Sequence, residues 1–301
     1  MVEPTVPTTR SSAARRGLEV AGLAKTYPNG IRALIGVNLE VESGMYGLLG
    51  PNGAGKSTLM RTLATLQQPD AGTFRLDGLD GLENPDGIRR RLGYLPQHIG
   101  TYPGVTGRGL LHRFAWLKGR TSGRERAHEV SELLERVNLR DAAEQRVSTY
   151  SGGMLRRFGI ALALLGRPRM IIVDEPTAGL DPAERNRFHQ VLAEVASDSV
   201  VLLSTHIVED VENLCERLSV LAKGKIVAEG TPAQLCAPLE GRLWTRVVPR
   251  GESLPSQVLH SSAAPHGTRV IVIASESPAD GFEVRSPRLE DVYHRALAEP
   301  S

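Results

Sequence analysis

Cysteine is nearly absent: Cys215 and Cys236 are the only two in 301 residues, and their separation is not metal-like. A reducing, cytosolic compartment is the expectation. Long apolar runs are missing too. The longest surrounds Ile160 to Leu165, far short of the ~18–20 residues that cross a bilayer. Any membrane role is therefore expected to come through a partner subunit. There is no excess of one charge. Lys and Arg number 36 against 34 Asp and Glu, a net +2, so nothing in the balance demands nucleic acid or an acidic membrane surface. Lysine itself is scarce, with only Lys25, Lys56, Lys118, Lys223 and Lys225. No heptad run occurs. Residues 1–16 are rich in Thr, Ser, Pro and Arg and lack an apolar h-region. They read as a disordered tail rather than a signal peptide. What remains, 41% hydrophobic and 23% charged residues, is the make-up of a globular protein.

The stretch around which the chain is organised is Gly50-Pro51-Asn52-Gly53-Ala54-Gly55-Lys56-Ser57-Thr58. It fits the Walker A pattern, glycine, four residues, then Gly-Lys-Ser/Thr. Three glycines let the backbone turn tightly and approach a phosphate chain. Successive N–H groups can then form an anion-binding concavity. Lys56 would reach terminal phosphates as a point charge, and Ser57 could offer an oxygen to Mg²⁺. Met45 to Leu49 reads as a strand and Leu59 to Leu66 as a helix, so phosphate would sit at a helix N-terminus. Taken alone, the loop leaves kinases, GTPases and many ATPases open.

Elsewhere strand and helix alternate, which predicts a mainly parallel α/β sheet. Leu18–Leu23, Val37–Val41 and Thr73–Leu76 read as strands. Tyr27 falls in the Pro-Asn-Gly turn after the first of these, either as a packing residue or as a surface for a base. Arg89-Arg-Arg91 reads as a solvated helix face. Between about 98 and 165 the pattern turns helical, with Leu110–Leu117, Glu125–Val137 and an apolar helix after Tyr150-Ser-Gly-Gly-Met154. Met170–Val173 is an apolar strand ending in Asp174-Glu175, where open α/β sheets bind ligands. Ala183–Ala196 follows as helix, then strand Val200–Leu203 ending at His206. Beyond Gly230, strands Leu243–Val248 and Thr268–Ala274 precede a last helix capped at Ser286-Pro287. Ser261–Gly267 and Ser275–Gly281 read as flexible joints.

Gly50–Thr58, Gln97, Ser151-Gly152-Gly153, Met170–Glu175, Gly179-Leu-Asp181 and His206 occur in this order at domain-scale spacing. The combination resembles the nucleotide-binding subunit of ABC transporters over roughly Leu18 to Gly230. The resemblance implies a P-loop NTPase core at 17–238 with an antiparallel N-terminal β-subdomain, an α-helical insertion at 98–165, and a small α+β accessory domain at 239–301. It also implies ATP and Mg²⁺ as cofactors. In that family Tyr27 would stack on adenine, Gln97 would touch Mg²⁺ and link core to insertion, and Asp174 would hold Mg²⁺. Glu175 would activate water, Asp181 would be the D-loop aspartate, and His206 would sit at the γ-phosphate. Ser151, Gly152 and Gly153 would contact ATP bound to the opposite subunit.

Tyr150 and Met154 depart from the usual Leu and Gln of the signature, so any side-chain hydrogen bond from position 154 is lost. That variant, and the ending Ser286-Pro-Arg-Leu-Glu-Asp-Val-Tyr293, resemble bacterial drug and polysaccharide exporter ATPases with separate permease chains. The partners implied are a second copy of the ATPase and an integral membrane permease, with no nucleic acid. The location implied is the cytoplasmic face of the cell membrane. The alternative is a soluble ATPase of the same family acting on ribosomes or DNA.

Overall fold

The computed structural model describes residues 17–100, 102–176 and 182–298. Strands β1 (Leu18–Thr26) and β2 (Arg32–Val41) pair antiparallel across the Tyr27–Gly30 turn. Strand β3 (Gly44–Leu49) then feeds helix α1 (Lys56–Leu63). The chain returns to the first sheet through β4 (Ala71–Leu76) and β5 (Leu79–Asp80), giving the antiparallel order β2-β1-β4-β5. Helix α2 (Pro85–Arg91), capped by Asn84, leads into β6 (Leu92–Leu95). Its Arg89, Arg90 and Arg91 are exposed, as expected.

Three helices follow: α3 (Gly107–Leu117), α4 (Gly123–Arg136) and α5 (Gly152–Leu164). Then come β7 (Met170–Asp174), α6 (Pro182–Ala196), β8 (Val200–Thr205), α7 (Val208–Leu214), β9 (Arg217–Ala222) and β10 (Lys225–Gly230). The second sheet has the order β10-β9-β3-β8-β7-β6, parallel except at its β10 edge. The expected α/β fold with a mainly parallel sheet is met.

The central strands are buried on both faces, and period-two geometry divides their side chains between two cores. Met45, Ile171, Val173, Val201 and Leu203 face helices α3 to α7. Tyr46, Leu48, Ile172 and Leu202 face α1 and the first sheet, where Leu18, Leu23, Leu59, Met60 and Phe74 complete the packing. The P-loop thus leaves the end of a strand fixed from both sides. Among the described residues no helix is long and apolar enough to cross a membrane.

Helix α8 (Pro232–Cys236) leads to β11 (Leu243–Pro249), β12 (His260–Ala264), β13 (Gly267–Ile273), β14 (Glu283–Val284) and α9 (Leu289–Ala298). The third sheet has the order β12-β13-β11-β14. Two local expectations fail here. Ser261–Gly267 is not a joint, because β12 occupies most of it and pairs residue by residue with β13. Backbone pairing overrides the Ser-rich composition, and a Cβ on Gly267 would collide with the Val248 carbonyl. The last helix does not start at Ser286-Pro287. Arg285 N donates to Leu243 O at 2.9 Å, which holds this stretch extended. The cap comes from inside the helix, where Asp291 Oδ2 accepts the Arg288 N–H at 2.8 Å. Leu289, Val292 and Ala296 bury into the same core as α7 and β9.

Candidate nucleotide site

Gly50 follows β3 directly and is buried; a Cβ there would strike the Leu221 carbonyl, and one on Gly55 the Ala33 carbonyl. Gly55, at φ 111°, is the N-cap of α1 and supplies no side-chain cap. First-turn N–H groups therefore face the loop without a side-chain acceptor, as an anion site requires. Gly53 (φ 80°) faces open space. Lys56 folds back across the loop, donating to Gly50 O at 2.6 Å and Pro51 O at 3.2 Å. Its burial pulls the ammonium below the ordinary lysine value, while Glu175 and Asp174 pull it back up. Pro51, Asn52 and Ala54 complete the turn, and Ser57 and Thr58 begin the helix.

All five residues of β7 are buried, so its last carboxylate, Asp174, is delivered at a fixed point and is 4% exposed. It lies in register with Ser204 of β8, whose hydroxyl donates to Asp174 Oδ1 at 2.8 Å. Glu175 turns off the strand at φ 47°, anchored by its N–H to Ser204 O at 2.9 Å. Its carboxylate is the meeting point of the site. His206 Nδ1 lies 3.1 Å from Oε1, Lys56 Nζ lies 3.7 Å from Oε1, and Gln97 Nε2 donates to Oε2 at 3.4 Å. Three separate segments thus converge on one group.

Tyr27 reaches the same helix start: its hydroxyl lies 3.2 Å from Thr58 Oγ1 and donates to Gln67 Oε1 at 3.3 Å. Ser151, Gly152 and Gly153 are not brought to this loop. No hydrogen bond or ion pair among the described residues joins them to Gly50–Thr58. Ser151 and Gly152 are exposed, and Ser151 Oγ caps α5 by accepting the Met154 N–H at 3.2 Å. Asp181 lies outside the described residues.

One functional candidate was not singled out from the sequence. Arg156, 9% exposed on α5, donates from Nε to Pro176 O at 2.8 Å and from one terminal nitrogen to Glu175 O at 2.7 Å. Its other terminal nitrogen donates to Pro96 O at 3.1 Å and Gln97 O at 3.2 Å. One guanidinium therefore ties α5 to the backbones of both Gln97 and Glu175. Burial pulls it down to about 10, against the pull of Asp174, so it stays charged at neutral pH. The available signal was an arginine pair, Arg156-Arg157, inside a helix that is otherwise apolar after Gly153.

The ABC transporter family profile matches residues 34–178. The doxorubicin resistance ATP-binding protein DrrA of Mycobacterium tuberculosis is 39% identical over 317 aligned positions, 94% of this chain and 94% of that protein. The chain belongs to the ABC transporter ATP-binding family. This ABC ATPase is also similar to the daunorubicin/doxorubicin resistance ATP-binding protein DrrA of Streptomyces peucetius. The two are 42% identical over 232 residues, 74% of this chain and 68% of that one. Among solved structures, an ATP-binding subunit of an ABC transporter superposes with a TM-score of 0.68 at 29% identity, covering 74% of this chain and 92% of that chain. A dimeric post-hydrolysis state of the ATP-binding cassette MJ0796, bound to ADP and Pi, gives 0.66 at 28% identity, covering 71% and 98%.

Proposed function

We propose that this ABC ATPase powers the export of a drug-like compound through a separately encoded permease. Two copies would close over ATP at the cytoplasmic face of the membrane. The observation that carries the chemistry is the convergence of Lys56, Gln97 and His206 on Glu175. Phosphoryl transfer needs positioning and charge neutralisation more than covalent help. In this reading the loop amides of Gly50–Thr58 and the Lys56 ammonium hold the β- and γ-phosphates. Their fit to that group rests on the uncapped helix start and on the open space above Gly53. Ser57, Asp174 and the Gln97 amide supply hard oxygen donors, the set that suits Mg²⁺. When bound, the ion would neutralise charge on the phosphates. Tyr27 packs against the adenine. Glu175 takes the proton from the attacking water, and His206 contacts the γ-phosphate.

Ser151 and Gly152, both exposed, and Gly153 beside them would complete the site of a second copy, and Asp181 is taken as the D-loop aspartate. We take 17–238 as the ATPase domain and 98–165 as its helical insertion. The insertion is the element that would meet the permease, with Trp116 59% exposed and Tyr102 37% exposed. Residues 239–301 form the accessory unit. Resistance ATP-binding proteins among the relatives support export over action on ribosomes or DNA.

Two measurements test this. Turnover per chain should rise steeply with protein concentration and should collapse in S151A although ATP still binds. Full turnover by a monomer held at high dilution would sink the shared site. Affinity purification from membranes should bring down a multi-span protein; recovery of ribosomes or DNA instead would sink the transport reading.

A further inference from the structure

We propose that the C-terminal unit carries a divalent transition-metal site, suited to Zn²⁺, built from His260, Glu290 and His294. One ligand-capable atom from each lies within 4.8 Å of the other two. Glu290 and His294 stand one turn apart on α9, with Oε1 and Nε2 3.9 Å apart. His260 arrives from β12, and its ring stacks on that of His294 with centroids 4.5 Å apart and planes 19° apart.

The decisive feature lies behind the ligands. His260 Nε2 is engaged by Asp291 Oδ1 at 2.8 Å, which leaves Nδ1 as the nitrogen free to take a metal. Asp291 is fully buried and is itself fixed by the Arg288 N–H at 2.8 Å and by the Arg285 guanidinium. A carboxylate behind a histidine sets its tautomer and ring orientation, the arrangement that supports metal-ligating imidazoles. Two imidazoles and one carboxylate form an N/O set that suits Zn²⁺ and its neighbours rather than Mg²⁺ or Ca²⁺. Ligands about 2.0–2.1 Å from a tetrahedral ion lie roughly 3.4 Å apart, so the three groups must draw inward, and the His294 ring must turn out of its stack on His260, because two parallel rings cannot both aim an in-plane lone pair at one ion. Glu290 is exposed and can swing, and it also leaves the ion an entry path. Water would fill the fourth position. Binding would clamp β12 to α9 at the Leu289–Tyr293 stretch.

The test uses full-length, tag-free protein stripped with EDTA and without nucleotide. Co²⁺ is the spectroscopic probe and Zn²⁺ the competitor. One Co²⁺ per chain should bind, with ligand-field bands and no thiolate charge-transfer band, and Zn²⁺ should displace it. H294A should weaken binding at least tenfold and remove the Zn²⁺-induced rise in Tm, while E290Q should give a smaller loss. H294A and E290Q leave the Asp291 network intact, and circular dichroism checks their fold. Three results would each overturn the site: no binding by the wild type, equal binding by the folded variants, or a thiolate band reporting Cys215 or Cys236.

Discussion

Glu175 and Asp291 are both carboxylates set between a histidine and a basic side chain, but their surroundings are opposite. Glu175 is 13% exposed, and its three side-chain contacts run from 3.1 to 3.7 Å. One of those partners, Lys56, already makes a shorter bond to a carbonyl. Such contacts are weak and easily remade around an incoming phosphate. Asp291 is 0% exposed, with two contacts of 2.8 Å and a third to Arg285. Its desolvation alone would raise its pKa; the bonds from His260, Arg288 N and Arg285 outweigh that and hold it below the usual carboxylate range. A buried charge persists only when its hydrogen-bonding capacity is used up. The loosely held cluster is built to change partners, and the saturated one is built to stay.

Mutation should separate the two clusters cleanly. E175Q should lower ATP turnover by about 10²–10⁴-fold while nucleotide affinity and thermal stability hold. A turnover loss below tenfold would remove Glu175 from the base role. D291N should do the reverse. It leaves Arg285, 21% exposed, without its anion and should cost about 1–3 kcal/mol, read as a fall in the urea midpoint at unchanged turnover per folded chain. Arg156 sits between these extremes, since it is buried yet holds the backbones of Gln97 and Glu175. R156M should reduce kcat by about 10–10²-fold through misplacement of Gln97 and Glu175, with a smaller change in ATP affinity.

The smallest effect concerns Lys118. Burial brings its ammonium down to about 8, with Glu129 opposing, while it donates to Leu92 O and Leu165 O. The unfolded chain holds that proton to about pH 10.4, so between pH 8 and that value the unfolded state binds more protons. Stability should therefore rise with pH there, by on the order of 1–2 kcal/mol. Urea denaturation at pH 7.5 and 9.5 should show this rise for the wild type and not for K118M.

The parts legible in sequence were those whose cause is local. Gly50–Thr58 declares itself because glycine spacing is the chemistry, and β3, β7 and β8 read clearly because strands buried on both faces are continuously apolar. Asp174 and Glu175 were singled out by lying at a strand's end, while His206 was singled out by the family resemblance. Arg156 was missed because it acts on four backbone carbonyls, which have no side-chain signature. Strand β12 was missed because its order comes from β13, not from its Ser and Ala content. The Leu289–Tyr293 stretch was read as part of the last helix and as a family pattern, but the place of Asp291 in it was not. Its reason needs His260, 31 residues away from Asp291 in sequence.

The backbone of Glu175 carries a further consequence. At φ 47° it lies in the left-handed region, which glycine and asparagine enter easily and glutamate does not. The fold alone would be better served by another residue there. E175G should melt at a higher temperature than the wild type, by the equivalent of about 1 kcal/mol, while turning over no ATP. A library of this chain screened for heat resistance alone would discard Glu175, and only selection for ATP turnover would keep it.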